Sequence, residues 1–169
     1  RILRRDIEKL GYKREFSIYD DDDQMTLIKR ILKKLDISDK SYPPRAVKSV
    51  ISDAKNHMLS PEEWLKDNPD FRSKPYYRAY CEYEKELKEN NALDFDDLIL
   101  KTLELLTEHP PVLEVYRRKF SYIMVDEYQD TNMAQYMLVR TLAGDKKNVC
   151  VVGDDDQSIY GWRGADLRN

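Results

Sequence analysis

Residues 121–132 read SYIMVDEYQDTN, and residues 148–166 read NVCVVGDDDQSIYGWRGAD. Each stretch is a short apolar run that stops abruptly: Ile123-Met124-Val125 at Asp126-Glu127, and Val149-Cys150-Val151-Val152 at Gly153-Asp154. Runs this short, rich in β-branched side chains and bounded by polar or glycine residues, predict strands buried on both faces. About twenty residues separate them, room for a helix and a crossover, so the strands are expected to be parallel neighbours. Open α/β sheets bind ligands at the carboxyl ends of their strands. Both acidic clusters fall there, and that edge is the candidate site.

The chain has 169 residues, enough for one domain or pieces of two, with a real core. Lys plus Arg number 29 against 32 Asp plus Glu, so any case for nucleic acid must rest on local patches and not on net charge. There is no apolar run near the roughly 18 residues of a membrane span and no signal-peptide pattern, so a soluble cytoplasmic protein is expected. Cys81 and Cys150 lie far apart and are each expected to serve as small buried hydrophobes. His57 and His109 neighbour no cysteine pair, which argues against zinc. The chain begins at Arg1 without an initiator Met and stops at Asn169, just beyond the second stretch. It reads as a piece of something larger.

Working outward, Ile2, Leu3, Ile7 and Leu10 form a helical stripe that Gly11 terminates, and Phe16–Tyr19 alternates as a weak strand. The acidic run Asp20–Asp23 suits the start of a helix carrying Ile28, Ile31, Leu32 and Leu35. Pro43-Pro44 opens another helix, with Val47, Val50 or Ile51, Ala54 and Met58 on its stripe. Ser60-Pro61-Glu62-Glu63 has the form of a cap. Pro75 starts a helix bearing Tyr76, Tyr80, Tyr83 and Leu87, read as core packing with hydroxyls reaching water. Asp94 is a good N-cap, with Asp96 and Asp97 in the first turn of a helix that continues through Leu106. Pro110-Pro111 ends it, and Arg117-Arg118-Lys119 reads as a solvated face before the first strand. About one hundred helical residues thus precede strand, helix, strand, with a boundary expected near Arg117.

A carboxylate at a strand tip, here Asp126, can hold Mg²⁺, an ion that keeps several waters and binds through one or two carboxylates plus phosphates. An apolar strand followed by Asp is the form of a Walker B element. Glu127 beside it can act as general base on a water, although an Asp-Glu pair alone suits a structural role equally. Gln157 offers an amide that both donates and accepts, suited to a terminal phosphate or the lytic water. Tyr160, Trp162 and Arg163 lie in a glycine-flanked loop, and two aromatics with an arginine suit stacking on unpaired bases.

Taken together, VDEYQDTN and VVGDDDQSIYGWRGAD resemble motifs II and III of the superfamily 1 DNA helicases of the UvrD/Rep/PcrA type. FSIYDDDDQ, PRAVKSVISDAKN, the tyrosine-rich helix and LDFDDLI extend the similarity over the whole chain. The resemblance implies an α/β chain that is mostly helical: a helical 1B-like subdomain over 20–116, between a short 1A segment (1–19) and part of a RecA-like parallel sheet of the P-loop NTPase fold (117–169). It implies an ATP-dependent helicase that moves 3′-to-5′ on single-stranded DNA and acts at single-strand/duplex junctions, with repair or replication proteins as partners and a place at the nucleoid. ATP and Mg²⁺ are the implied cofactors. By the same resemblance Asp126 ligates Mg²⁺, Glu127 is the catalytic base and Gln157 senses the γ-phosphate, with Gln129 and Asp154 in the nucleotide site. Tyr160 and Trp162 stack on bases, Arg163 couples the DNA and nucleotide sites, and Phe95 in the 94–98 segment is a further DNA contact, although helix capping explains that segment equally well. Lys29, Arg30, Lys33 and Lys34 are candidates to meet duplex DNA.

The departure from the pattern is as informative. No GxxxxGK[ST] occurs in these 169 residues, so tight nucleotide binding by this polypeptide alone is not expected. Two other readings are the helicase subunit of a helicase–nuclease complex and a non-catalytic helicase-like scaffold. The Asp126-Glu127 pair weighs against the scaffold, which needs no base beside a metal ligand.

Overall fold

A computed structural model describes residues 1–146 and 148–154; Gln157, Tyr160, Trp162 and Arg163 lie outside the described residues. The described chain is mostly helical, with eight α-helices and four short strands that pair as two parallel two-stranded sheets. It forms two compact units, one spanning Glu15–Leu98, the other joining Arg1–Arg14 to the residues from Ile99 onward. The division falls inside a helix, α6 (Phe95–Glu108), upstream of the composition shift near Arg117.

In the Glu15–Leu98 unit, β1 (Ser17–Ile18) pairs with β2 (Ala92–Leu93), Ser17 opposite Ala92. The acidic run then acts as a cap. Asp20 accepts the backbone N–H groups of Asp22 and Asp23, both at 3.0 Å, and Asp23 accepts that of Asp20 at 3.2 Å. This reciprocal box satisfies orphan donors of α2 (Asp21–Lys34), and the remaining carboxylates face the positive end of its dipole. Among the described residues, no cluster of three or more His, Cys, Asp or Glu is placed to hold a metal.

Three more helices complete the unit: α3 (Pro44–Asn56), α4 (Pro61–Asp67), capped reciprocally by Ser60 and Glu63, and α5 (Lys74–Glu89). Their apolar stripes meet in one core. Leu27, Ile28, Ile31 and Leu32 of α2 join Val47, Ile51 and Ala54 of α3, Trp64 of α4, and Ala79, Tyr80, Tyr83 and Leu87 of α5. Each fully buried Leu or Ile here contributes about 1.5–3 kcal/mol. Two details differ from the sequence reading. Met58 leaves the stripe: it sits beyond the end of α3 with φ 60° and is partly exposed. The tyrosine hydroxyls reach protein acceptors instead of water: Tyr80 donates to the Leu59 carbonyl at 2.9 Å and Tyr83 to Asp94 Oδ2 at 3.1 Å.

The unit also encloses a charge network that the sequence did not announce. Lys55, 1% exposed, reaches Glu84 Oε1 at 2.7 Å, Asp94 Oδ2 at 2.8 Å and Asp97 Oδ1 at 2.8 Å, with the Tyr83 ring 5.3 Å away. Asp94 and Asp97 cap one another across the start of α6: the N–H of Asp97 donates to Asp94 Oδ1 and that of Asp94 to Asp97 Oδ2. Burial pulls the Lys55 ammonium down, but the fields of Asp97, Asp94 and Glu84 outweigh it and hold the lysine well above its ordinary value. Burial likewise opposes charge on Asp94, and Lys55 overrides it, leaving that carboxyl below its ordinary value. Asp97 goes the other way: burial, aided by Asp94 and Glu84, holds it up despite Lys55.

In the second unit, α1 (Ile2–Asp6) runs into a 3-10 turn (Ile7–Leu10) that stops at Gly11. Pro110-Pro111 both ends α6 and opens α7 (Pro110–Lys119), and α7 leads to β3 (Ile123–Val125). Crossover helix α8 (Met133–Ala143), capped by Asn132 and Gln135, then returns the chain to β4 (Val149–Val151). The basic run before β3 is not merely solvated. Arg117 is half-buried and donates from Nε and Nη2 to the Thr141 carbonyl at 3.1 and 2.9 Å, meeting the negative end of α8. Its guanidinium fills the space where a Cβ on Gly144 would stand.

β3 and β4 are parallel as expected, with Ile123 opposite Val149, Met124 opposite Cys150 and Val125 opposite Val151. The expectation of burial on both faces fails. Met124 is 75% exposed, and Cys150, expected as a buried hydrophobe, is exposed. Side chains alternate along a strand, so Met124 and Cys150, with Tyr122 and Val152 two positions away, form one face. Among the described residues no element packs over this face, and its side chains stand exposed. Cys81 is half-buried, and no described helix is long and apolar enough to cross a membrane.

Replacing Lys55 by Met should destabilise the Glu15–Leu98 unit by about 3–5 kcal/mol near neutral pH, because buried carboxylates lose their cation. The loss should depend on pH. In the parent, depressed Asp94 contributes stability that is present above its ordinary pKa and lost as pH falls, and of the two aspartates only raised Asp97 costs stability as pH rises toward about 7. Without the cation, burial raises both carboxyls, so the variant loses stability as pH rises through their folded pKa values. Denaturant unfolding at about pH 5 and about pH 8 should show the gap widening with pH; a pH-independent gap would contradict this explanation.

Candidate functional site

The site is built where β3 and β4 end side by side. The ladder continues one step past the strands: the Val152 N–H donates to the Val125 carbonyl at 2.8 Å and the Tyr128 N–H to the Val152 carbonyl at 2.9 Å. These bonds fix Asp126 and Glu127 next to Gly153 and Asp154. Glu127 sits in the left-handed region, φ 52° and ψ 42°, a conformation that costs a non-glycine residue on the order of 1–3 kcal/mol. Asp126 Oδ1 accepts its N–H at 2.9 Å, and a 3-10 turn (Tyr128–Asp130) follows. Such strain gathers where surrounding structure over-determines a functional geometry.

Gln129 is the hub. It is 4% exposed, its Nε2 donates to Glu127 Oε2 at 2.6 Å, and its Oε1 accepts the Asp154 N–H at 3.0 Å. One carboxamide thereby joins the end of β3 to Asp154, three residues beyond β4. The approach needs a glycine: a Cβ on Gly153 would stand 2.7 Å from Gln129 Oε1 and 3.3 Å from the backbone nitrogens of Gln129 and Tyr128. Asp130 Oδ1 is buried without a hydrogen-bond partner, an unmet acceptor beside these groups. A cavity of about 230 Å³, lined by Arg117, Ile123, Gly144 and Asn148 among others, lies at the opposite end of the strands, away from the carboxylates.

Of the expected site residues, the structure brings together Asp126, Glu127, Gln129 and Asp154. Gln157, Tyr160, Trp162 and Arg163 fall outside the described residues. In the other unit, Phe95 is 55% exposed at the start of α6, while its neighbours Asp94 and Asp97 are buried on Lys55. The capping explanation of the 94–98 segment therefore holds for the two aspartates, and the aromatic ring is left at the surface. Among the basic candidates on α2, Arg30 is paired with Glu86, and Lys34 reaches Glu82 at 2.6 Å and Glu86 at 3.2 Å. Those carboxylates, 52 and 56 residues away from their partners in the case of Glu86, gave no signal in the sequence.

A parallel βαβ unit with an Asp-Glu pair at one strand end and a glycine-acid step at its neighbour belongs to the α/β class of carboxyl-edge sites. The particular family follows from comparison: the profile of the UvrD/REP helicase N-terminal domain matches residues 1–169, and the chain belongs to the UvrD/PcrA-type superfamily 1 helicases. It is 53% identical over all 169 residues to the ATP-dependent DNA helicase PcrA of Bacillus subtilis, and 52% and 51% identical to those of Staphylococcus epidermidis and Staphylococcus aureus. In each case the whole chain is covered, but it spans only 23% of the relative's length.

Gly153→Ala should press on Gln129 and lower the stability of the 169-residue chain by about 1–3 kcal/mol, as overpacking does. Urea unfolding would measure it. An unchanged midpoint would mean that the Gln129 side chain yields freely and is not held where the structure has it.

Proposed function

We propose that this chain is the motif II and III segment of an ATP-dependent DNA helicase that couples ATP hydrolysis to 3′-to-5′ movement along single-stranded DNA and to strand separation. The observation that carries the reading is the juxtaposition at the ends of β3 and β4, where Glu127, Gln129 and Asp154 are hydrogen-bonded into one unit beside Asp126. Family membership and the names of the relatives, ATP-dependent DNA helicases, support the substrate class. The compactness of Glu15–Leu98 supports an inserted helical subdomain of the 1B type, and the parallel β3–β4 pair supports a RecA-like sheet of the P-loop NTPase fold.

In this reading Asp126 supplies a hard oxygen ligand for Mg²⁺, and the donor set fits that ion, since Mg²⁺ binds through one or two carboxylates plus substrate phosphates and water. The ion, when bound, neutralises charge on the phosphates. Glu127, adjacent but held in a separate backbone conformation, accepts the proton of the attacking water. Gln157 meets the terminal phosphate. Tyr160 and Trp162 stack on unpaired bases, and Arg163 links that grip to the nucleotide. Phe95, exposed at the head of α6, offers another stacking face for single-stranded DNA, and Lys29, Arg30, Lys33 and Lys34 of α2 are the candidates to meet a duplex ahead of a single-strand junction. Cytoplasmic, nucleoid-associated work with repair or replication partners belongs to the same reading.

The 169-residue polypeptide alone, lacking GxxxxGK[ST], should show no DNA-stimulated ATP hydrolysis; turnover that Glu127→Gln abolishes in this polypeptide would overturn that expectation. In a full-length helicase carrying this segment, Glu127→Gln should leave MgATP binding and remove most hydrolysis, and retained turnover would exclude Glu127 as the base. Trp162→Ala should weaken single-strand binding by about 1–3 kcal/mol, the value of one stacked base. An unchanged affinity in a salt-matched titration would remove Trp162 from the interface.

A further inference from the structure

We infer that Gln129 is the positioning residue of the hydrolytic step: its buried carboxamide sets the rotamer of Glu127 and ties it to the backbone that follows β4, so that base and strand end move as one. The inference rests on the reading of Glu127 as general base and deepens it, because it assigns Gln129 a partner within the protein instead of on the nucleotide. The chemistry of the site is selective for a carboxamide. Nε2 must donate to the Glu127 carboxylate, and Oε1 must accept the Asp154 N–H. A glutamate at this position could still accept from Asp154, yet would set a second carboxylate against Glu127. A methionine fills similar space but makes neither bond.

Three features make the link stiff. Gln129 is almost wholly buried, so water does not compete for either end. Gly153 gives no room to a side chain that would otherwise separate the two, with Gln129 Oε1 only 2.7 Å from where its Cβ would lie. The ladder bonds Val152 to Val125 and Tyr128 to Val152 hold both chain segments at fixed spacing. Glu127 itself departs from ordinary backbone geometry, and the bond from Gln129 Nε2 holds its carboxylate. The acids of residues 154 onward follow directly from the backbone that Gln129 grips. Whatever contacts those residues make on nucleotide or DNA, a shift at Asp154 reaches the Glu127 carboxylate through the Gln129 side chain, alongside the backbone ladder.

The test is a double-mutant cycle in a full-length helicase carrying this segment, read by steady-state and single-turnover ATP hydrolysis with single-stranded DNA. Gln129→Met should lower kcat about 100-fold, the order expected for misplacing a catalytic group by an ångström, with KM for ATP little changed. Gln129→Glu should be at least as impaired, although it retains the acceptor for Asp154. The decisive arm is Glu127→Gln combined with Gln129→Met. A residue that acts only through Glu127 adds nothing once the base is gone, so the double variant should hydrolyse ATP at the rate of Glu127→Gln alone. A further large loss in the double variant, or a raised KM as the main effect, would overturn the inference and make Gln129 a nucleotide ligand or a purely structural residue. Full activity in Glu127→Gln would instead sink the underlying assignment of the base, an outcome separable from the first. Should Gln129→Met fail to fold, Gln129→Glu takes its place in the same cycle, with the same two outcomes deciding for or against the link.

Discussion

The parallel pairing of β3 with β4 is the constraint on which the site depends. Parallel neighbours cannot be joined by a tight turn, so the chain must leave β3, travel back along α8 and re-enter at the same end. That requirement places both strand exits on one edge. Acids that lie 25 or more residues apart in sequence become neighbours, as the bond from the Asp154 N–H to Gln129 Oε1 shows. The capping of α8 by Asn132 and Gln135 and the grip of Arg117 on its last turn keep the crossover in register. Side-chain chemistry at the edge then needs only short polar links.

Much of this was legible in the sequence, for identifiable reasons. Helix starts with Ser60, Asp20 and Asp94 were readable because a cap is a local pattern of a few residues. The β3 and β4 strands and their parallel relation were readable because apolar runs and the length between them speak directly to pairing. Long-range partners were not. Lys55 lies on α3, and nothing nearby in sequence foretold Glu84, Asp94 and Asp97 closing around it. The pairing of Arg30 and Lys34 with Glu86 was hidden for the same reason. Burial of the strands was misjudged because an apolar run reports what a strand can bury against and not what stands over it; Met124 and Cys150 have no cover among the described residues. Gln129 was legible as a motif member, whereas its role as a link depended on seeing Asp154 and Gly153 arrive beside it.

The two charged assemblies contrast in kind. The edge with Asp126, Glu127 and Asp154 keeps carboxylates near solvent at strand ends, where a ligand can reach them. The Lys55 network is buried inside the helical unit except at Glu84, which is partly exposed, and joins α3, α5 and the start of α6. A buried cation with carboxylates around it is a weak argument for stability, since desolvation offsets attraction. Phe95 follows immediately after one of its members, so the network also fixes the backbone from which that exposed ring projects.

The buried network has a consequence for how such a chain can vary. Removing Lys55 leaves Asp94 and Asp97 buried without a cation, while replacing the whole set with apolar groups of equal volume can be nearly neutral. Single steps away from the present arrangement therefore run uphill even where the destination is level. Lys55, Asp94 and Asp97 are coupled positions, at which a tolerated change at one needs a compensating change at the others, and they tie α3 to the head of α6.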